Sequence, residues 1–235
     1  LENYEDAFQC FEQALQIHPG YLDACLNFGN SLKKCKQYTA AIDCYQHALK
    51  INPENAKTFF LLGEVYYDTG DCDLAKTYYA KSLEIYPVDL EAQIALAIAQ
   101  IPKVFKSAEE LGDSRNAFSQ QLEFFQRNLQ QQSGSIQNHK LLARHPFYLA
   151  YQDENNRTLM AKLGEICSGL AQPIQAKLGA KKELTDISSK IRIGIISSFI
   201  CSHPVWHAIT KGWVNHLDNK QFELHIFNTN GVEDQ

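Results

Sequence analysis

The stretch "LDACLNFGNSLKKCKQYTAAIDCYQHALKINPEN", Leu22 to Asn55, decides the fold, because its marker residues recur at one fixed interval along the chain. Pro19, Pro53 and Pro87 are each 34 residues apart, and so are Ala7, Ala41 and Ala75. Phe11, Tyr45 and Tyr79 keep the same period, as do Ala14, Ala48 and Ser82. In the earlier part of the unit, Phe28-Gly29 and Leu62-Gly63 are followed by Leu96-Ala97. A period of this length marks an array whose unit is a single supersecondary element, stacked on copies of itself. The residue types specify two antiparallel helices: small side chains where the backbones approach, an aromatic where they diverge, and a proline where the second helix ends.

With those residues in place, Leu22–Asn55 resembles a tetratricopeptide repeat, and the next unit, 56–89, matches it closely. Residues 1–21 read as the second half of an earlier repeat, and 90–100 start a fourth that decays, so the array covers 1–100. A solenoid cut through a repeat exposes an apolar face, and further repeats are expected upstream. An array of this kind is read first as a surface for binding protein segments. Asn27 and Asn30 lie three residues apart on the first helix, hence on one face. Side-chain amides pair with both backbone groups of an extended peptide, which makes these two asparagines the candidate acceptor-binding residues. Similar asparagines in the large O-linked N-acetylglucosamine transferases line the superhelix and hold substrate chains. Here the following repeat carries Leu61 and Glu64 at those positions, so an asparagine ladder is broken at once.

Composition narrows the class. The chain has 235 residues, 45% hydrophobic and 21% charged, as a folded globular protein has. A net charge of −5 argues against duplex nucleic acid, which requires a basic face. No run reaches the roughly 18 apolar residues of a membrane span, and neither a membrane span nor a signal peptide before the first repeat is expected. The seven cysteines form neither a CxxC pair nor an even disulfide framework, which predicts free thiols in a reducing, cytoplasmic setting. Cys10 and Cys44 occupy equivalent repeat positions and are expected to be small core residues.

Residues 101–188 lose the 34-residue period and read as a helical connecting region. "SAEELGDSRNAFSQQLEFFQRNLQQQ", 107–132, sets Phe118, Leu122, Phe125 and Leu129 at three- and four-residue spacing, which predicts one long helix. "SGSIQNHK" breaks it. "HPFYLAYQDENNR", 145–157, predicts an aromatic turn packed between array and next domain, followed by a helix that closes at Pro173. "GAKKELTDISSK", 179–190, is a polar linker.

Residues 189–235 change character again. Ile191–Ile196 is a β-branched, apolar run suited to a strand buried on both faces of a parallel sheet. "SHPVWHAITKGWVNHL" places Pro204 at the first position of a helix with Ser202 or His203 as its cap. Phe222–Phe227 forms a second strand after a turn at Asp218-Asn219, giving a βαβ unit whose crossover is expected to be right-handed. Residues 197–203 then lie at the carboxyl end of the first strand, the edge where open α/β sheets bind ligands. His203 and His207 are four apart, but Pro204 puts His203 at or before the helix start, and no acid or thiol completes a zinc motif. No metal is expected. A histidine at a helix start serves as general acid or base, or as a structural side chain satisfied by its neighbours.

The block Ile191–Asn230, with "SHPVWHAITKGW" its most specific part, resembles the start of the catalytic region of SPINDLY-like O-linked N-acetylglucosamine transferases, glycosyltransferase family 41. "SRNAFSQQLEFF" and "HPFYLAYQDENNR" are similar to bacterial members, in the same order after tetratricopeptide repeats. The resemblance implies a mainly α chain: a repeat solenoid, a helical linker region, and the first βαβ unit of a Rossmann-like GT-B domain. It implies transfer of a sugar from a nucleotide donor, UDP-N-acetylglucosamine, to protein Ser or Thr hydroxyls, with the repeats binding acceptor protein and no metal or other cofactor. His203 matches the histidine at the end of the first-strand loop and is the candidate base or positioning residue, with His207 a second candidate. Phe199 stands where the family has an acid and Cys201 where it has glycine. Donor-binding residues are expected beyond residue 235, so this chain is expected to be inactive alone. The alternatives are a repeat scaffold without catalysis and a GT-B transferase acting on lipid or glycan.

Overall fold

A computed structural model describes residues 4–131, 144–177, 190–197 and 211–228, which divide into two compact units, Leu1–Gly179 and Ala180–Gln235. The first unit is helical. It opens with α1 (Tyr4–Ile17), α2 (Leu22–Lys34), α3 (Tyr38–Ile51), α4 (Ala56–Thr69), α5 (Cys72–Ile85) and α6 (Leu90–Ala99), paired as helical hairpins of the repeat array. The ends of these helices follow from local chemistry. Asn55 accepts from the Thr58 N–H at 2.9 Å, Asp71 from Leu74 at 3.0 Å, and Asp89 from Glu91 and Ala92 at 2.9 and 3.2 Å, each satisfying orphan donors of a first turn. Pro19, Pro53 and Pro87 each stand two residues past a helix end, at α1, α3 and α5.

Glycine and aromatic turn out to be two sides of one contact. A Cβ on Gly29 would lie 2.5 Å from the Tyr45 ring, and one on Gly63 would lie 2.6 Å from the Tyr79 ring. The aromatic ring of each second helix therefore packs directly on the glycine backbone of the first, where any side chain would clash with it. Ala41, Ala48 and Ala75 are wholly buried beside these rings. Ser82, where the other repeats have alanine, is buried too, and its hydroxyl donates to the Ala56 carbonyl at 2.8 Å, so the extra polar group is satisfied. Cys10, expected in a core, is exposed, because none of the described residues of α1 is buried.

The array runs directly into the connecting region through α6. Most of its ten residues are buried, since Ala95 and Ala99 pack with Ala75 and Tyr79 while Leu90, Ile94, Ala97 and Ile98 face the next core. That second core gathers Phe118, Leu122 and Phe125 from α7 (Ala108–Gln131), Leu149 from a 3₁₀ turn (Phe147–Tyr151), and Leu159, Leu163, Ile166 and Leu170 from α8 (Arg157–Lys177). Leu129 packs against its edge. The helix expected to close at Pro173 continues to Lys177. Three preceding turns anchored in the core hold the axis past the bond that proline removes.

In the second unit β1 (Ile191–Ser197) pairs in parallel with β2 (Phe222–Asn228), in register from Ile191 opposite Phe222 to Ser197 opposite Asn228. Helix α9 (Lys211–His216) lies in the crossover that a parallel pair requires. The turn into β2 is built by Asp218, which takes the Lys220 N–H on its side chain at 2.8 Å and the Gln221 and Phe222 N–H groups on its carbonyl. The sheet was expected to be buried on both faces, yet Ile191 is 63% and Phe227 54% exposed. Among the described residues of this unit, two strands and six helical residues are too few to cover both faces of a sheet.

Candidate functional site

The first helices of successive repeats, α2, α4 and α6, place equivalent positions side by side. Asn30 on α2 and Glu64 on α4 are one period apart, and each is held by the tyrosine of its own repeat. The Tyr45 hydroxyl donates to Asn30 Oδ1 at 2.8 Å, and the Tyr79 hydroxyl donates to Glu64 Oε1 at 2.6 Å. Both tyrosines are pushed above their ordinary pKa, first by burial and, at Tyr79, next by the Glu64 charge, so both remain neutral donors.

Around Glu64 a cluster of charges forms on one face. Lys33 Nζ lies 3.6 Å from Glu64 Oε2 and 3.4 Å from Asp68 Oδ2. Arg144, from beyond the repeats, brings Nη2 to 2.9 Å from Glu64 Oε1 and 3.6 Å from Glu91 Oε1, with its guanidinium 5.6 Å from the Phe60 ring centre. Burial disfavours the charge on Arg144, but Glu64 and then Tyr79 and Glu91 outweigh it and raise its pKa. Beside this cluster opens a cavity of about 690 Å³, walled by Asn30, Lys33, Lys57, Phe60, Leu61, Glu64, Tyr86, Asp89 and Glu91. Its walls supply an amide, an aromatic ring and charges of both signs along neighbouring helices, the equipment for holding a peptide by its backbone and one side chain.

Of the sequence candidates, Asn30 lines this cavity. Asn27 is exposed, and its carbonyl accepts the Ser31 hydroxyl at 3.0 Å. His203, His207 and the linker before Lys190 lie outside the described residues. Glu64 was visible in the sequence as the residue interrupting an asparagine ladder. Arg144 carried no such signal, because nothing periodic links it to the repeats it reaches.

Another cavity, about 830 Å³, lies at the α4–α5 turn and the start of α7. Three of its five carboxylates already serve the fold: Asp71 caps α5, Asp73 pairs with Lys76 at 2.8 Å, and Glu110 accepts the Lys106 N–H.

Comparison with known proteins places the array first. Residues 29–70 match the family described as TPR repeat, and 56–89 match Tetratricopeptide repeat. Mouse peptidyl-prolyl cis-trans isomerase FKBP4 is 32% identical over 97 residues, covering 41% of this chain and 21% of that protein. Human protein O-mannosyl-transferase TMTC1 is 26% identical over 90 residues, 37% of this chain and 10% of its own length. This chain thus spans about a fifth or less of these relatives. Among solved structures, a mutant O-GlcNAc transferase from Thermobaculum terrenum aligns over 99% of this chain and 35% of its own, at TM-score 0.56 and 16% identity. The chain carries tetratricopeptide repeats on a mainly helical fold, with structural similarity to an O-GlcNAc transferase along its length and, among the described residues, no helix long and apolar enough to cross a membrane.

Proposed function

We propose that this chain belongs to a protein O-glycosyltransferase, in which the repeats bind acceptor protein and the parallel βαβ unit forms one wall of the catalytic cleft. The observation that carries this reading is the alignment of repeats, connecting helices and strand pair with one O-GlcNAc transferase, over 99% of the chain. The donor in this reading is a nucleotide sugar, UDP-N-acetylglucosamine, and the acceptor is a Ser or Thr hydroxyl in an extended segment. His203 acts as base or positioning group for that hydroxyl, with His207 secondary, and the reaction as proposed needs no metal. Asn30, with its carbonyl oxygen held by Tyr45, offers amide donors to the acceptor backbone, and Asn27 adds a polar contact outside the cavity. Free thiols at the six described cysteines suit a reducing, cytoplasmic setting.

The test is transfer of label from UDP-N-acetylglucosamine to a protein extract by the full-length protein, comparing wild type with His203→Ala. Loss on the order of a hundredfold is expected for a general base or positioning group. Unchanged transfer would remove His203 from the mechanism. A second reading, a repeat scaffold without catalysis, has its support in the curated matches, which lie in less than half of the chain. Absence of transfer with every nucleotide sugar tried, together with retained peptide binding, would favour it.

A further inference from the structure

Arg144 shows what the face of the first helices holds best. Its guanidinium lies 5.6 Å from the Phe60 ring centre, with Nη2 hydrogen-bonded to Glu64 Oε1 at 2.9 Å and ion-paired with Glu91 Oε1 at 3.6 Å. A guanidinium suits a ring and two carboxylates better than an ammonium does, because it can stack on an aromatic face and carries several donors in a fixed plane. The frame does not depend on Arg144. Glu64 is oriented by the Tyr79 hydroxyl at 2.6 Å, and Phe60 packs its ring against Tyr79 at 5.7 Å between centroids. Both are fixed by packing within the repeats. Next to the seat, the cavity of about 690 Å³ leaves room for a chain on which such a side chain is carried.

We propose that Phe60, Glu64 and Glu91 form an arginine subsite for acceptor peptides, and that Arg144 occupies it as an intramolecular competitor until a peptide arginine displaces it. The inference rests on the reading that the repeats bind acceptor segments, and it names the chemistry they select. Exchange of one guanidinium for another conserves the hydrogen bonds, so the barrier to binding is the local concentration of the tethered side chain. A competitor on a short tether lowers apparent affinity by the fraction of time it holds the site.

Two measurements on the 235-residue chain test this, using wild type, Arg144→Gly, and Arg144→Lys in case the glycine variant does not fold. In the first, ethylguanidinium or ethylammonium is added at low millimolar concentration and the thermal midpoint is followed. Ethylguanidinium should raise the midpoint of Arg144→Gly and leave wild type unmoved, with ethylammonium much weaker. Equal effects of the two ions, or none, would overturn the subsite. In the second, a fluorescent Ser/Gly/Thr/Val dodecapeptide with one central arginine, or its citrulline analogue, is titrated. The arginine peptide should bind Arg144→Gly on the order of tenfold tighter than wild type, lose that gain in the Arg144→Gly, Glu64→Gln double variant, and bind Arg144→Lys in between. The citrulline peptide should not distinguish the proteins. Binding of both peptides without preference overturns the arginine subsite and leaves the peptide-binding face intact. No binding of either, with ethylguanidinium rescue present, makes the seat purely structural and removes the peptide-binding reading as well.

Discussion

The Tyr79 hydroxyl lies 2.6 Å from Glu64 Oε1, repeating across one period the contact of Tyr45 with Asn30 at 2.8 Å, with a charged acceptor in place of a neutral one. Hydrogen bonds to charged groups contribute about 1.5–3 kcal/mol and neutral ones about 1 kcal/mol. Tyr79→Phe should therefore cost more stability in urea unfolding than Tyr45→Phe, by about 1 kcal/mol. Equal costs would show that Glu64 is held by Arg144 and Lys33 alone.

Gly63 and Gly164 are both helical, but their surroundings are opposite. Alanine at Gly63 drives a methyl into the Tyr79 ring and should cost about 1–3 kcal/mol. At Gly164, among the described residues, an added Cβ meets nothing within 4 Å. Gly164→Ala should stabilise by about 0.5–1 kcal/mol through helix propensity. Thermal midpoints of the two variants, moving in opposite directions, would check this.

Lys36 and Gly70 end equivalent helices one period apart, both in left-handed backbone, at φ 60° and 92°. Gln37 and Asp71, the next residues, each donate an N–H back to the carbonyl five residues earlier, Leu32 and Tyr66, at 2.9 Å. Lysine at φ 60° is strained where glycine is not. Lys36→Gly should gain about 0.5 kcal/mol, because relief of strain exceeds the added freedom of the unfolded chain. Gly70→Ala should lose about 1 kcal/mol by the same logic. Chemical denaturation of both variants tests the pair.

Tyr67 has its pKa pushed up to about 12, chiefly by burial and next by Cys72. A folded value above the unfolded one means that its contribution is full below pH 10 and lost as pH rises from 10 towards 12. Tyr45 and Tyr79 are raised for the same first reason and add to the fall. Unfolding free energy measured from pH 8 to 11.5 should begin to fall near pH 9, where burial has raised the thiols of Cys25, Cys44, Cys72 and Cys167 above their ordinary value, and fall more steeply above pH 10, a second step that Tyr67→Phe should reduce.

The array was legible because repetition makes a local pattern global. Residues 34 apart do the same job, so Gly29 and Gly63 or Ala41 and Ala75 could be recognised without knowing what they touched. The long helix of Phe118, Leu122, Phe125 and Leu129 was legible from its spacing alone, the first strand from its β-branched run, and the second from the turn at Asp218-Asn219 before it. Pro173 misled, because its local cost is overridden by the core contacts of Leu159, Leu163, Ile166 and Leu170 on the turns before it. Cys10 misled in the same way, since equivalence in sequence does not guarantee equal covering. Of the site, Asn30 was legible as a candidate and Leu61 and Glu64 as the residues one period on from the asparagines, whereas Phe60, Glu91 and Arg144 were not. The pairing of Arg144 with Glu64 joins residues 80 positions apart, where no spacing rule operates.

By itself the sequence determined the units: a 34-residue helical hairpin, its glycine, aromatic and proline positions, a long amphipathic helix, and a strand–helix–strand segment. These follow from short-range sterics and hydrophobic period, which act between neighbours in the chain. Only the tertiary structure decided that Tyr79 orients Glu64, that α6 belongs to two cores at once, and that Arg144 sits on Phe60 between two carboxylates. Contacts of that kind depend on how whole helices stack, and their energy is realised once distant segments meet.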